Sequence, residues 1–210
     1  MHQRELVSAG PSVPQANKVI IMLHGRGSNA QSILRLADVL EIQDFAHLAP
    51  QATNYTWYPY SFLVPRTQNQ PWLDSALEWL DALVLDLLGK GISSEQLYFI
   101  GFSQGACLTL EFTAQHARKY GGIVAFTGGL IGDRVERNRY SGDFGGTRIL
   151  ITSGNPDPHI PVERVHDSVD VLKDLNAEVQ SIIYDQRPHI ISRDEIQLAN
   201  DWIFKDPQGH

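Results

Sequence analysis

In Gly101-Phe102-Ser103-Gln104-Gly105, a serine stands two residues from a glycine on either side. A serine hydroxyl is a weak nucleophile until a sharp turn exposes it and a base takes its proton. The apolar run Leu97 to Ile100 leads straight into this turn, and a helical pattern from Gln104 follows it at once. That strand–turn–helix context gives a G-x-S-x-G match chemical meaning. Ser103 is expected to attack an ester or thioester carbonyl. The new helix directs its first backbone N–H groups and its positive dipole end at the site. Cys107 follows one helical turn later. It reads as a small buried apolar residue rather than a second nucleophile, because free cysteine is usually buried and inert.

Histidine serves best as the base near neutral pH. For this turn type the chain order is serine, acid, histidine, which restricts the search to residues after Ser103. His116 and His166 fall inside helical patterns and His210 at the chain end, leaving His159 and His189. His189 follows the strand pattern Val179 to Tyr184 and precedes a new helix, which puts it in a loop at the carboxyl edge of the sheet; His159 is also in a loop. Asp157, in Gly154-Asn155-Pro156-Asp157-Pro158, follows the strand pattern Arg148 to Thr152. Asp185 is too near His189 in sequence to be its usual partner, and Asp133 and Asp143 lie in an irregular stretch. Ser103, Asp157 and His189 therefore form the expected catalytic set. Each also has a plainer reading: a glycine-rich turn, a turn former between prolines, a surface loop histidine.

A tetrahedral intermediate needs two fixed N–H donors. Gln104, after the serine, offers one through its backbone. The second is expected from the loop after an early strand, here His24-Gly25-Arg26-Gly27, where the Arg26 backbone N–H is the candidate. The stretch lacks both the lysine of a phosphate loop and G-x-G-x-x-G spacing. His24 has no partner at metal-ligand spacing, so no metal and no cofactor are expected.

These residues need elements to bring them together. Strand patterns at Lys18–Leu23, 97–100, 122–126, 148–152 and 179–184, with a weaker one at 45–48, alternate with helical patterns. Ser28 with Gln31 reads as a capping box opening a helix toward Leu40, and Pro71 as the first residue of a helix that stops at Gly89. Further helices are expected over Gln104–Tyr120, from Pro161 toward Asn176, and from a Ser192–Glu195 capping box to about Phe204. Alternating strands and helices imply a mostly parallel sheet covered on both faces, with ligands beyond the carboxyl ends of its strands. No repeat, linker or low-complexity tract divides the 210 residues, so one domain over 1–210 is expected.

Composition narrows the function classes. A net charge of −7 without a basic face argues against nucleic acid as a partner. No run is long and apolar enough for a transmembrane segment, and the polar start, Met1-His2-Gln3-Arg4-Glu5, is unlike a signal peptide. A single cysteine allows no intramolecular disulfide. Together these point to a cytoplasmic protein acting on a small-molecule ester or thioester; a homodimer fits such a chain as well as a monomer does. The long connection from Ala49 to Pro71 carries Tyr55, Trp57, Tyr58, Tyr60, Phe62 and Leu63. It is too aromatic for disorder and reads either as a substrate-pocket wall, with Trp57 and Trp72 as candidate contacts, or as rings packing the loop on the body.

With His24-Gly25-Arg26-Gly27, Gly101-Phe102-Ser103-Gln104-Gly105, Gly154 to Pro161 and His189 assembled, the chain resembles the phospholipase/carboxylesterase family of α/β-hydrolases from about Lys18 to Phe204. The resemblance implies an α/β-hydrolase fold without a large cap domain. It also implies a Ser103–His189–Asp157 triad, oxyanion donors at Arg26 and Gln104, and Trp72 beside the site. The expected activity is a serine carboxylesterase acting on short- to medium-chain esters through an acyl-enzyme. A thioesterase or lysophospholipase on the same fold, and a binding protein that keeps the fold without catalysis, are the competing readings. Ser28 stands where many members have an acid, and Pro188 where a glycine is common.

Overall fold

The computed structural model of the chain describes residues 1–205; His210 lies outside them. Among the described residues seven strands form one sheet, in spatial order β1-β3-β2-β4-β5-β6-β7. They are β1 (Glu5–Ala9), β2 (Lys18–Leu23), β3 (Phe45–Gln51), β4 (Leu97–Phe102), β5 (Gly122–Phe126), β6 (Arg148–Asn155) and β7 (Glu178–Asp185). β1 runs antiparallel to β3, and all other pairs are parallel. Five helices flank the sheet: α1 (Ala30–Leu34), α2 (Trp72–Gly89), α3 (Gln104–Gln115), α4 (Val162–Asp174) and α5 (Arg193–Ala199), the last continuing into a π-helical turn, Asn200–Phe204.

The strand sequences explain the two-sided cover. In β2, Val19, Ile21 and Leu23 pack with α2, α3 and α4, whereas Ile20 and Met22 pack with α1, α5 and Phe204. Side chains alternate between faces along a strand, so an unbroken apolar run requires a core on each face. Fully burying such a side chain contributes about 1.5–3 kcal/mol. The parallel strands carry the loops after β2 to β7 to one edge, where the chemistry-bearing residues lie.

Several local expectations needed correction. β1, outside the expected strands, is a largely exposed edge strand of five residues in which Val7 alone packs on the core, and it is held by its ladder to β3. Ser28 does not cap a helix: its N–H closes a turn onto Gly25 O, and Asn29 caps α1 through Oδ1, which accepts from Ser32 N at 2.8 Å. That helix is one short turn followed by a 3₁₀ segment at Arg35–Asp38, not a continuous run to Leu40. Pro71 precedes α2, whose first residue is Trp72. α3 stops at Gln115, with His116 as its C-cap, because the next residues are claimed elsewhere: Ala117 bridges to Gly142 and the Tyr120 N–H donates to Thr147 Oγ1. The Ser192–Glu195 box forms as read.

Candidate active site

β4 delivers Ser103 into a backbone conformation of φ 55°, ψ −118° at the N-cap of α3. A positive φ is strained for a serine and persists only where its surroundings over-determine it. Here the Ser103 N–H is held by Phe126 O at 3.0 Å, and its carbonyl accepts from Cys107 N. The glycines of the turn are sterically required. A Cβ on Gly101 would stand 2.4 Å from Gly105 O, and one on Gly105 only 2.1 Å from Leu23 O. The second contact brings α3 against the end of β2, beside the Gly25-Arg26 loop.

Asp157 follows β6 and His189 follows β7. Ser103 Oγ lies 2.8 Å from His189 Nε2, and His189 Nδ1 lies 2.8 Å from Asp157 Oδ2. The other carboxylate oxygen accepts the backbone N–H groups of His159 and Ile160, both at 2.9 Å. Burial of the Asp157 carboxyl raises its pKa, but the His189 bond and these two amides outweigh it and hold the group below the ordinary carboxylate value. An acid kept ionised beside Nδ1 fixes the imidazole tautomer that leaves Nε2 free to accept the serine proton. The rings of Phe102 and His159 pack on His189, with centroids 5.2 and 5.1 Å away.

Arg26 and Gln104 line the same cavity as the Ser103 hydroxyl. Among the described residues, neither the Arg26 nor the Gln104 backbone N–H has an acceptor. Their side chains bond to the aromatic loop. Gln104 Nε2 donates to Tyr58 O at 2.8 Å while its Oε1 accepts from Trp57 N at 2.9 Å. The Arg26 guanidinium donates to Pro59 O at 2.8 Å, Tyr60 O at 2.6 Å and Thr56 Oγ1 at 3.1 Å. Both residues thus clamp segment 56–60. His24 braces the same region: its Nε2 accepts the Ala52 N–H, so Nδ1 carries the proton donated to Gly25 O at 2.8 Å. Burial lowers its pKa and keeps the imidazole neutral.

A cavity of about 620 Å³ opens over Ser103 and His189. The aromatic loop forms one wall through residues 58–62, the Gly25–Ser28 loop and Gln104 border it, and Phe102, Cys107, His159 and Ile160 contribute the rest. Trp57 and Trp72, the residues singled out from the sequence, do not line it. Trp57 is fully buried, donates Nε1–H to His24 O at 2.8 Å, and packs on His2, His24 and Trp79. Trp72 lies edge-on to His2, 5.4 Å away. Five consecutive residues, 58–62, line the cavity, so no periodic pattern marks them; the density of rings along the loop is the signal the sequence offers. Burial pushes the Cys107 thiol up to about 12, so it holds its proton and is no nucleophile. His159 is not the expected base. It is nevertheless a neighbour of His189, because the Asp157 turn folds it over the site.

Among the described residues no helix is long and apolar enough to cross a membrane. The family model described as Phospholipase/Carboxylesterase matches residues 6–206. A solved phospholipase/carboxylesterase from Dyadobacter fermentans is 54% identical, with a TM-score of 0.96, covering 97% of this chain and 98% of its own. Acyl-protein thioesterase 1 of Saccharomyces cerevisiae is 28% identical over 92% of this chain and 94% of its own length. A probable carboxylesterase of Arabidopsis thaliana, SOBER1-like, is 25% identical over 90% and 78%. The match of the family model over nearly the whole chain, on a mostly parallel sheet whose β4 leads into the Ser103 turn, makes this chain a member of the phospholipase/carboxylesterase family of α/β-hydrolases.

Proposed function

We propose that this chain is a serine carboxylesterase in which Ser103, His189 and Asp157 act as a triad on short- to medium-chain carboxylic esters. The observation that carries the proposal is the unbroken line Ser103 Oγ–His189 Nε2 and His189 Nδ1–Asp157 Oδ2, each step 2.8 Å. The esterase and thioesterase names among its relatives support the reaction class.

His189 takes the hydroxyl proton as Ser103 Oγ attacks the carbonyl carbon, and Asp157 stabilises the imidazolium. The carbonyl oxygen, now an oxyanion, accepts from the Arg26 and Gln104 amides, which need no reorganisation because they have no other partner. One such donor is typically worth about 3 kcal/mol in the transition state. His189 then protonates the leaving alcohol, and the acyl group stays on Ser103. Water, deprotonated by His189, repeats the attack and frees the acid. The cavity is walled by loop residues without a separate cap, which suits small and mid-sized acyl groups.

Two measurements test this. A fluorophosphonate probe is expected to label the wild type and not Ser103→Ala; a wild type that resists labelling sinks the hydrolase reading. A series of acetyl to palmitoyl esters, with matched thioesters, is expected to peak at short or medium length on the oxygen esters. A peak on long thioesters would favour the thioesterase reading, which the yeast relative motivates.

A further inference from the structure

His189 is held from the front by Asp157, but most of the polar apparatus around its loop lies behind it. His189 is the middle residue of a γ-turn in which the Ile190 N–H donates to Pro188 O at 2.8 Å. One guanidinium nitrogen of Arg187, Nη1, donates to both carbonyls of that turn, Pro188 O at 3.2 Å and Ile190 O. Nη2 donates to Thr127 Oγ1 at 2.7 Å, at the end of β5. Facing the guanidinium at 3.6 Å is the Glu195 carboxylate, and both side chains are almost wholly out of solvent (6% and 0% exposed). Glu195 accepts from Thr152 Oγ1 at 2.5 Å, on β6, and from Ser192 N at 2.8 Å at the start of α5.

A buried ion pair is a poor stabiliser. Removing two charges from water offsets most of their attraction, and well-packed apolar residues often do as well. What it does well is fix one geometry among many. These hydrogen bonds converge on three places: the turn that presents His189, the end of β5, which also accepts the Ser103 N–H through Phe126 O, and the strand β6 that leads to Asp157. The same loop meets β6 again, where the Gln186 N–H donates to Asn155 O at 2.8 Å and Arg187 O lies so close to Gly154 that a Cβ there would stand 2.6 Å from it.

We propose that the buried Arg187–Glu195 pair is a positioning device for His189, referencing the imidazole to the strand ends that carry Ser103 and Asp157. Neither side chain touches the reacting atoms or lines the cavity. The proposal rests on His189 being the catalytic base.

The test compares wild type, Arg187→Lys and the double variant Arg187→Met/Glu195→Gln, using p-nitrophenyl acetate hydrolysis, fluorophosphonate labelling rate and thermal unfolding. The double variant removes both charges together, so no buried ion is left unpaired. Its kcat and labelling rate are expected to fall about 10²-fold while KM stays within about twofold, as for a displaced catalytic group with an intact substrate site. Lysine keeps the charge opposite Glu195 but lacks the fork that spans Thr127 and the two carbonyls. Its kcat is expected to fall about tenfold, again with KM held. Arg187→Lys therefore decides the matter alone if the double variant does not fold. Folded variants with wild-type kcat, or with kcat unchanged and KM raised, overturn the proposal. A wild type that neither hydrolyses nor labels overturns the triad reading itself, which is a separate and distinguishable failure.

Discussion

Two loops meet over Ser103, and they are held by different means. The His189 loop is short and set in place by buried ions and hydrogen bonds: Asp157 in front, Arg187 and Glu195 behind. The wall loop, 52–71, is long and carries apolar rings, yet it too is fastened at its backbone by Arg26 and Gln104. A proton-transfer group must be correct to fractions of an ångström, since a 1 Å error can lower the rate about 10²-fold. A wall need only exclude water and match a shape. Both loops are thus held by directional bonds, but those of the His189 loop come from a buried ion pair and fix one side chain. Those of the wall loop come from exposed Arg26 and from Gln104 and fix mainly the main-chain course, leaving apolar rings to supply the area.

Asp157→Asn gives the sharpest test of this contrast. Its Oδ1 contacts to the His159 and Ile160 amides survive, but the amide no longer enforces the productive His189 tautomer. The expectation is a loss of roughly 10⁴-fold in kcat with little change in KM. A loss confined to KM would mean that the His189 loop binds substrate rather than moving protons.

Arg26→Met acts on the other loop. It keeps the backbone N–H assigned to the oxyanion but deletes the bonds to Pro59 O, Tyr60 O and Thr56 Oγ1. At about 1 kcal/mol for a typical bond, and with 1.4 kcal/mol equal to a tenfold change, KM for a hexanoyl ester should rise about tenfold. kcat on the acetyl ester should fall less than that. Equal effects on both esters would erase the distinction between wall and catalytic loop.

Smaller still, Trp57→Phe should lower stability by about 1–2 kcal/mol, through the lost bond to His24 O and lost ring contacts. The acyl-length profile should not move, because Trp57 is buried away from the cavity. A shifted profile in otherwise stable protein would show that the wall is set from beneath.

The smallest effect concerns acid stability. The folded pKa of Asp157 lies below its unfolded value of about 3.9. Its contribution is therefore fully present above that value and is lost as pH falls through the folded pKa. Between pH 5 and roughly 2, the Tm of wild type should drop more than that of Asp157→Asn. Parallel curves would mean that the carboxylate is not held in the low-pKa state.

How much of this was legible in the sequence follows from where each signal resides. Ser103, Asp157 and His189 sit in the turns that follow strands, and the central parallel strands are buried on both faces, so their apolar runs marked the edge where the three converge, while half-exposed β7 gave a weaker run. The edge strand β1 was invisible because its ladder with β3, not its side chains, makes it a strand. Trp57 misled because ring size says nothing about direction; it turns inward, and its neighbour Tyr58 faces the cavity. Glu195 was read as a capping residue, which it is, but its second oxygen and its ion pair lie in tertiary space. Glu111 illustrates the same blind spot. In sequence it is an ordinary helix-surface acid, yet it is fully buried and takes hydrogen bonds from Arg66, from Tyr140 Oη and from Ile131 N, the last two at 3.0 Å.

The clamp on segment 56–60 also bears on how such an enzyme can diverge. Apart from Thr56, what Arg26 and Gln104 grip there is main chain: Trp57 N, Tyr58 O, Pro59 O and Tyr60 O. Main-chain atoms are the same whatever residue supplies them. Mutation can therefore exchange the exposed ring at Tyr60 while the buried rings of Tyr58 and Phe62 and the main-chain grip hold the loop on its course. Under the proposed function, the exposed rim of the wall is a cassette that lineages can rewrite, attached to a reaction centre they can inherit unchanged.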